Sequence, residues 1–224
     1  MSRHRKPARG LADRMVTAVL ELVLTAGALV LLFVVYQAYV TDWFAGQRQD
    51  QVAEDLRDEW QAGPPADPEL GEAFLFLRIP RFGEDWNRAV LEGVDPAELD
   101  TGPGHYPGTA LPGEVGNFAL AGHRVGLGSP FRDNDKLEPG DPVVVETADT
   151  WFVYRVIGSE IVDPRNTSVV GYPVPGRAEG AWLTMTTCNP KYSNRERLVT
   201  QALLDRTVSK ADEPQGPALM AAGE

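Results

Sequence analysis

The sequence predicts a mainly β domain carried behind one N-terminal apolar helix. Three observations predict it. Short apolar runs bounded by turn residues recur from residue 73 onward, the pattern of a barrel or sandwich. The 22 glycines and 18 prolines among 224 residues punctuate the chain too often for a helical bundle. The stretch from Met15 to Val40 carries a single charge, Glu21.

Residues 1–14 form a basic head, with Arg3, Arg5, Lys6, Arg9 and Arg14 set against Asp13. Residues 15–40 read as a transmembrane helix. A span needs roughly 20 mostly apolar residues, and this run is too long for the apolar part of a cleaved signal and is closed by no small-residue cleavage site. The basic residues precede the run, and Tyr36, Tyr39 and Trp43 mark an interface. The expected topology is a single pass at the cell membrane, with a cytoplasmic N-terminus and the domain outside. Residues 41–72 read as a stalk or linker: Gly46–Gly63 is polar and helix-permissive, and the prolines after it break the helix.

The domain itself is expected over residues 73–207. Phe74–Ile79 is strand-like and ends at Pro80; "WNRAVLEGV" is a second short strand, and "DPAELDTG" one helical turn. A Gly/Pro-rich loop, Gly102–Gly116, leads to the apolar strand Asn117–His123. Val143–Thr147 and Trp151–Ile161 flank the hairpin-like "ADT", and Ala181–Cys188 with Arg197–Leu204 make the last pair. Residues 208–224, rich in small and polar residues, are expected to be a disordered tail.

The net charge is −11. The first 14 residues carry +4, so about −15 falls on the rest. An acidic body excludes nucleic acid as a partner, because phosphate binding needs a basic stripe. Phosphate loops and nucleophile elbows are absent. "DNDKLEPGD" fails the calcium-loop pattern, because Leu137 and Glu138 fall where a ligand and a glycine are required. One cysteine and two histidines beyond the apolar run are too few for a zinc site, so neither metal nor cofactor is expected.

The lone cysteine, Cys188, is the candidate nucleophile. Outside the cytoplasm an unpaired thiol is expected to be used rather than stored. "LTMTTC" builds a strand, and Asn189-Pro190 stops it with Cys188 at the tip. A thiol needs a proton partner or a neighbouring cation to become a good nucleophile. His123, which also caps an apolar strand, is preferred to His105, which is read as a solvated loop residue. The link between Cys188 and Arg197 is so short that their strands must be antiparallel neighbours, which brings Arg197 toward the thiol. Arg195 is its competitor. A guanidinium there would hold a substrate carbonyl or stabilise an oxyanion.

These residues carry a family resemblance. "TMTTCNPKYSNRERLV" resembles the sortase signature in which a T-L-x-T-C strand is followed by an arginine, and "GNFALAGHR" resembles the strand that ends in the sortase histidine. "GHYPGTALPGEVGNFALAGHR" is similar to the class E sortases of high-GC Gram-positive bacteria. Met185 departs mildly from the usual leucine. The resemblance implies an eight-stranded β-barrel with short helices and a cysteine transpeptidase with His123, Cys188 and Arg197 as catalytic residues. Tyr106 and Thr187 would contact substrate, Tyr106 favouring LAxTG-like over LPxTG-like signals. The implied partners are surface proteins bearing such sorting signals and a lipid-linked peptidoglycan precursor. Three other readings stand beside it: a pilus-type sortase, another cell-wall cysteine peptidase, and a non-catalytic anchored β-domain.

Overall fold

A computed structural model of the chain describes residues 10–36, 41–63 and 67–217. The basic residues Arg3, Arg5, Lys6 and Arg9, the interface residue Tyr39 and the end of the expected tail lie outside the described residues. The chain divides into two compact units, one ending at Thr41 and the other starting at Asp42.

The first unit contains α1 (Leu11–Val35), 25 residues with no buried side chain. At 1.5 Å per residue it is roughly 37 Å long, enough to cross a bilayer hydrocarbon core of about 30 Å. It begins four residues before the span expected from Met15.

The second unit is a closed barrel. Its strands are β1 (Ala73–Arg78), β2 (Asn87–Glu92), β3 (Gly104–His105), β4 (Gly116–Ala121), β5 (Pro142–Glu146), β6 (Thr150–Val162), β7 (Ala181–Asn189) and β8 (Glu196–Ser209). They close in the order β1-β2-β3-β4-β7-β8-β6-β5. Two α-helices of the described residues belong to the same unit, α2 (Thr41–Ala62), apart from its first residue, and the single turn α3 (Pro96–Leu99). Strand side chains alternate between faces, so Leu75, Leu77, Phe118, Leu120, Val143, Val145, Leu183 and Met185 fill the interior. Fully burying side chains of this size contributes about 1.5–3 kcal/mol each.

Three features differ from the sequence reading. The Gly/Pro-rich loop contains the eighth strand, β3, only two residues long. Such a strand has no periodicity to detect, and it exists because Gly104 lets the backbones touch: a Cβ there would meet Gly93 O at 2.1 Å. The stalk region is partly a docked helix. In α2, Ala45, Gln49 and Leu56 turn inward, and Leu56 packs on Phe76 and Ala89. Gln49 donates to Ala89 O and accepts from Ala89 N–H, each at 3.0 Å, and so acts as a substitute strand where β3 is too short to cover β2. Finally, β8 runs to Ser209, and the tail residues next to it are packed rather than disordered. Trp151 Nε1 donates to Glu213 O at 3.1 Å, and Gly216 lies against the same indole. The indole supplies the apolar surface that the tail's composition lacks.

Candidate active site

The site lies where three strands end together. β4 and β7 are parallel, with Ala121 beside Thr186 as the last rung. Two residues further along each chain come His123 and Cys188. β7 and β8 are antiparallel, with Cys188 directly opposite Arg197. Residues directly opposite in an antiparallel pair project from the same face of the sheet, so Arg197 shares the face of Cys188, whereas Arg195 precedes β8 and has no partner in its register.

Local chemistry explains why each chain stops there. After Ala121, Gly122 passes beneath Phe131 so closely that a Cβ would lie 2.6 Å from the ring. Only glycine lets the chain make that approach and deliver His123 to the rim. On the facing strand, Thr187 Oγ1 donates to Gly122 O at 2.7 Å, and Gly122 N–H donates to Thr186 O at 3.2 Å. Pro190 has no N–H to continue the ladder.

Beyond these ends is a pocket of about 400 Å³ lined by His123, Arg124, Val125, Cys188, Tyr192, Ser193 and Asn194. Cys188 is a free thiol and half-buried. The His123 side chain is 31% exposed, and its Nε2 lies 3.3 Å from Asp100 Oδ1. Its Nδ1 has no hydrogen-bond partner among the described residues. Arg197 Nη1 donates to Asn194 O and Glu196 O, both at 3.1 Å. Its guanidinium is therefore held by the end of the β7–β8 loop and the first residue of β8, beside the pocket rather than in its lining.

The other two predicted residues are placed differently. Tyr106 Oη lies 3.1 Å from Thr186 Oγ1, and the ring is half-buried across the β4–β7 face. Thr187 is only 3% exposed, and its hydroxyl is committed to Gly122 O. It sits on the interior face of β7, opposite to Cys188, so it ties two strand ends together rather than presenting a polar group to a ligand. His105, read as a solvated loop residue, is 1% exposed. It is buried because β3 carries it between the Phe74 and Phe118 rings, with Glu92 at Nδ1 and Thr109 at Nε2.

Sequence reasoning missed Asp100, Arg124 and Asp135. Arg124 is 5% exposed and donates from Nη1 to Cys188 O at 3.1 Å and to Asn189 Oδ1. Its Nη2 pairs with Asp135 Oδ1 at 3.2 Å. Burial pushes the Asp135 carboxyl up, but its own backbone N–H, the Arg124 and Lys191 charges and the Arg124 hydrogen bond outweigh it, so the group sits below its ordinary range. Its position beside His123 was the one available signal for Arg124. Asp100 had none, since 23 residues, including the Gly/Pro-rich loop, β3 and β4, separate it from the histidine it meets.

A thiol, an imidazole and a guanidinium around one open pocket can do acyl transfer. The thiol attacks a carbonyl, the imidazole moves protons, and the guanidinium stabilises the oxyanion. Comparison with known proteins gives the same direction. The sortase domain family matches residues 77–205. The chain is 40% identical to sortase SrtE1 of Streptomyces coelicolor over 212 residues, covering 88% of this chain but 59% of that protein. With sortase SrtE2 of the same organism it shares 37% identity over 234 residues, covering 95% and 90%. Among solved structures, sortase E from Streptomyces avermitilis superposes with a TM-score of 0.61 at 41% identity, covering 67% of this chain and 97% of that one. Sortase E1 from Streptomyces coelicolor, solved with a tripeptide in the active site, gives 0.62 at 34% identity, covering 69% and 100%.

Proposed function

The chain belongs to the sortase family, and from that premise we propose that it is a membrane-anchored transpeptidase of the cell surface. Its substrates would be proteins bearing an LAxTG- or LPxTG-like sorting signal. Cys188 Sγ attacks the threonine carbonyl of the Thr–Gly bond. The C–N bond breaks as His123 gives a proton to the leaving glycine amine, and a thioacyl enzyme remains. The amine of a lipid-linked peptidoglycan precursor then attacks the thioester. His123 accepts its proton, the thiolate leaves, and a new amide bond joins protein to wall precursor.

The observation that carries this reading is the convergence of His123 and Cys188 on one half-open pocket, with Arg197 in register across from the thiol. Arg197 donates to the substrate carbonyl once it exchanges the Asn194 and Glu196 carbonyls for it. Tyr106, through its hydroxyl on Thr186, borders the face along which the signal would lie. The domain organisation follows: a basic cytoplasmic tail, one span, a helix that returns to the barrel, and the catalytic barrel outside. Basic residues ahead of a span hold that end in the cytoplasm, which puts the pocket on the side where both substrates are presented.

The experiment is turnover of an LAxTG peptide by the full chain in detergent, with and without an amine nucleophile. Transpeptidation product that grows with amine concentration is expected, and Cys188→Ala is expected to abolish it. Cleavage indifferent to any amine would identify a peptidase, and retained turnover in Cys188→Ala would end the thioacyl mechanism. Arg197→Ala is expected to lower kcat on the order of 100- to 1000-fold, as removal of an oxyanion donor does.

A further inference from the structure

The β4–β7 ladder stops short of the residues that matter. Its last register pair is Ala121 with Thr186, followed by the Gly122 N–H to Thr186 O hydrogen bond at 3.2 Å. His123 and Cys188 both lie past that point, where no rung between β4 and β7 sets their separation. The Thr187 hydroxyl on Gly122 O ties the residues just before them, and among the described residues one further side chain reaches across to Cys188 itself. Arg124 leaves the backbone immediately after His123, and its Nη1 donates to the carbonyl oxygen of Cys188 itself at 3.1 Å. The same nitrogen also donates to Asn189 Oδ1, and Asn189 Nδ2 donates in turn to Glu196 Oε2 at 2.8 Å on β8.

The other arm of the guanidinium is braced. Nη2 pairs with Asp135 at 3.2 Å, and Lys191 Nζ, three residues after Cys188, lies 3.5 Å from the same carboxylate and 3.6 Å from Asp133. The segment after His123, the end of β7 and the turn at Asn134–Lys136 therefore meet at one buried cation.

This arrangement is costly to the fold. Taking a guanidinium to 5% exposure strips it of most of its hydration, a large desolvation penalty. Arg124 Nε is also buried without a partner. An apolar side chain of similar length would satisfy the packing, and such replacements of buried charge are often neutral or stabilising. The rigid planar fork of arginine is what the site uses, because a point charge on lysine cannot hold the two groups on β7 and the Asp135 carboxylate in fixed directions.

We propose that Arg124 is a positioning residue of the transfer reaction: it sets Cys188 against His123 by holding the Cys188 carbonyl from the residue next to the histidine. The inference rests on the reading of Cys188 and His123 as the reacting pair. Arg124 acts through Cys188 and not on substrate, so its loss misplaces the nucleophile without weakening peptide binding.

The test is steady-state kinetics of the full chain in detergent for Arg124→Met, Arg124→Lys, Asp135→Asn and the Arg124→Met/Asp135→Asn double variant. Cys188→Ala is measured alongside, and thermal unfolding is followed for each. Arg124→Met and Arg124→Lys are each expected to lower kcat on the order of 100-fold, the cost of a misplacement of about 1 Å, with KM for peptide within about threefold. Asp135→Asn is expected to lower kcat several-fold and to add nothing in the Arg124→Met background, because coupled residues are non-additive. A kcat for Arg124→Met near that of the unchanged chain overturns the proposal. So does a loss confined to KM, which would make Arg124 a substrate contact. If Arg124→Met fails to fold, Asp135→Asn decides, and an unchanged kcat there overturns the clamp. Turnover by Cys188→Ala overturns the reading of the pair itself, whereas an inert Cys188→Ala beside a fully active Arg124→Met overturns only the clamp.

Discussion

His105, on β3, and His123, two residues past the end of the neighbouring β4, belong to one barrel and have opposite surroundings. His105 has both ring nitrogens occupied, by Glu92 on one side and by Thr109 and Ala110 O on the other, and its faces lie against Phe74 and Phe118. Among the described residues the His123 ring makes one hydrogen-bonding contact, a 3.3 Å approach to a half-exposed carboxylate, and the residue lines the pocket. A proton acceptor must be able to exchange its partner. Saturation therefore fits His105 to the scaffold, and incompleteness fits His123 to the proton-transfer role proposed for it. Arg124 and Arg197 repeat the contrast, the first braced on three groups and the second held, among the described residues, by the backbone carbonyls of Asn194 and Glu196.

The contrast can be broken from either side. His123→Ala is expected to cut kcat on the order of 1000-fold, within the usual span for general acid–base groups, with the melting temperature unchanged. A large loss of stability would return His123 to the scaffold. His105→Leu should do the reverse. It strands the Glu92 carboxylate, 8% exposed, without its partner, at a cost of about 3 kcal/mol. For a unit of this size that is roughly 6–12 °C in Tm, read by calorimetry, while kcat per folded molecule stays near that of the unchanged chain. Asp100→Asn should be the smallest change. A partly exposed contact of this kind contributes about 1 kcal/mol or less, so kcat should fall no more than about fivefold. A drop as deep as that of His123→Ala would promote Asp100 to an equal member of the site.

Much of this was legible in the sequence, and the reasons are specific. Apolar strands announce themselves: "AWLTMTTCN" and "PVVVE" have the residues of a buried pleated surface, and their observed limits differ from the expected ones by one residue at the end of the first and by one at each end of the second. The proximity of Cys188 to Arg197 followed from a short connection, which leaves antiparallel neighbours as the only geometry. What escaped was set by sequence-distant contact. β3 is two residues long and takes its existence from its neighbours. Gln49 finds Ala89 forty residues away, and nothing in a polar helix announces that one glutamine completes a sheet. His105 was misread for the same reason, since its loop composition says solvent while the barrel closes over it.

The sequence by itself determined the apolar helix, the strand-and-turn rhythm, and the placing of a thiol, an imidazole and a guanidinium at the ends of their segments. These depend on periodicity and on the stereochemistry of glycine and proline, which act within a few residues. Only the tertiary structure decided which histidine is sealed and which is open, that Thr187 binds a strand end rather than facing outward, and that Arg124 bridges to the carbonyl of Cys188. Burial and hydrogen-bond satisfaction belong to pairs of surfaces, and they acquire values only when the barrel closes.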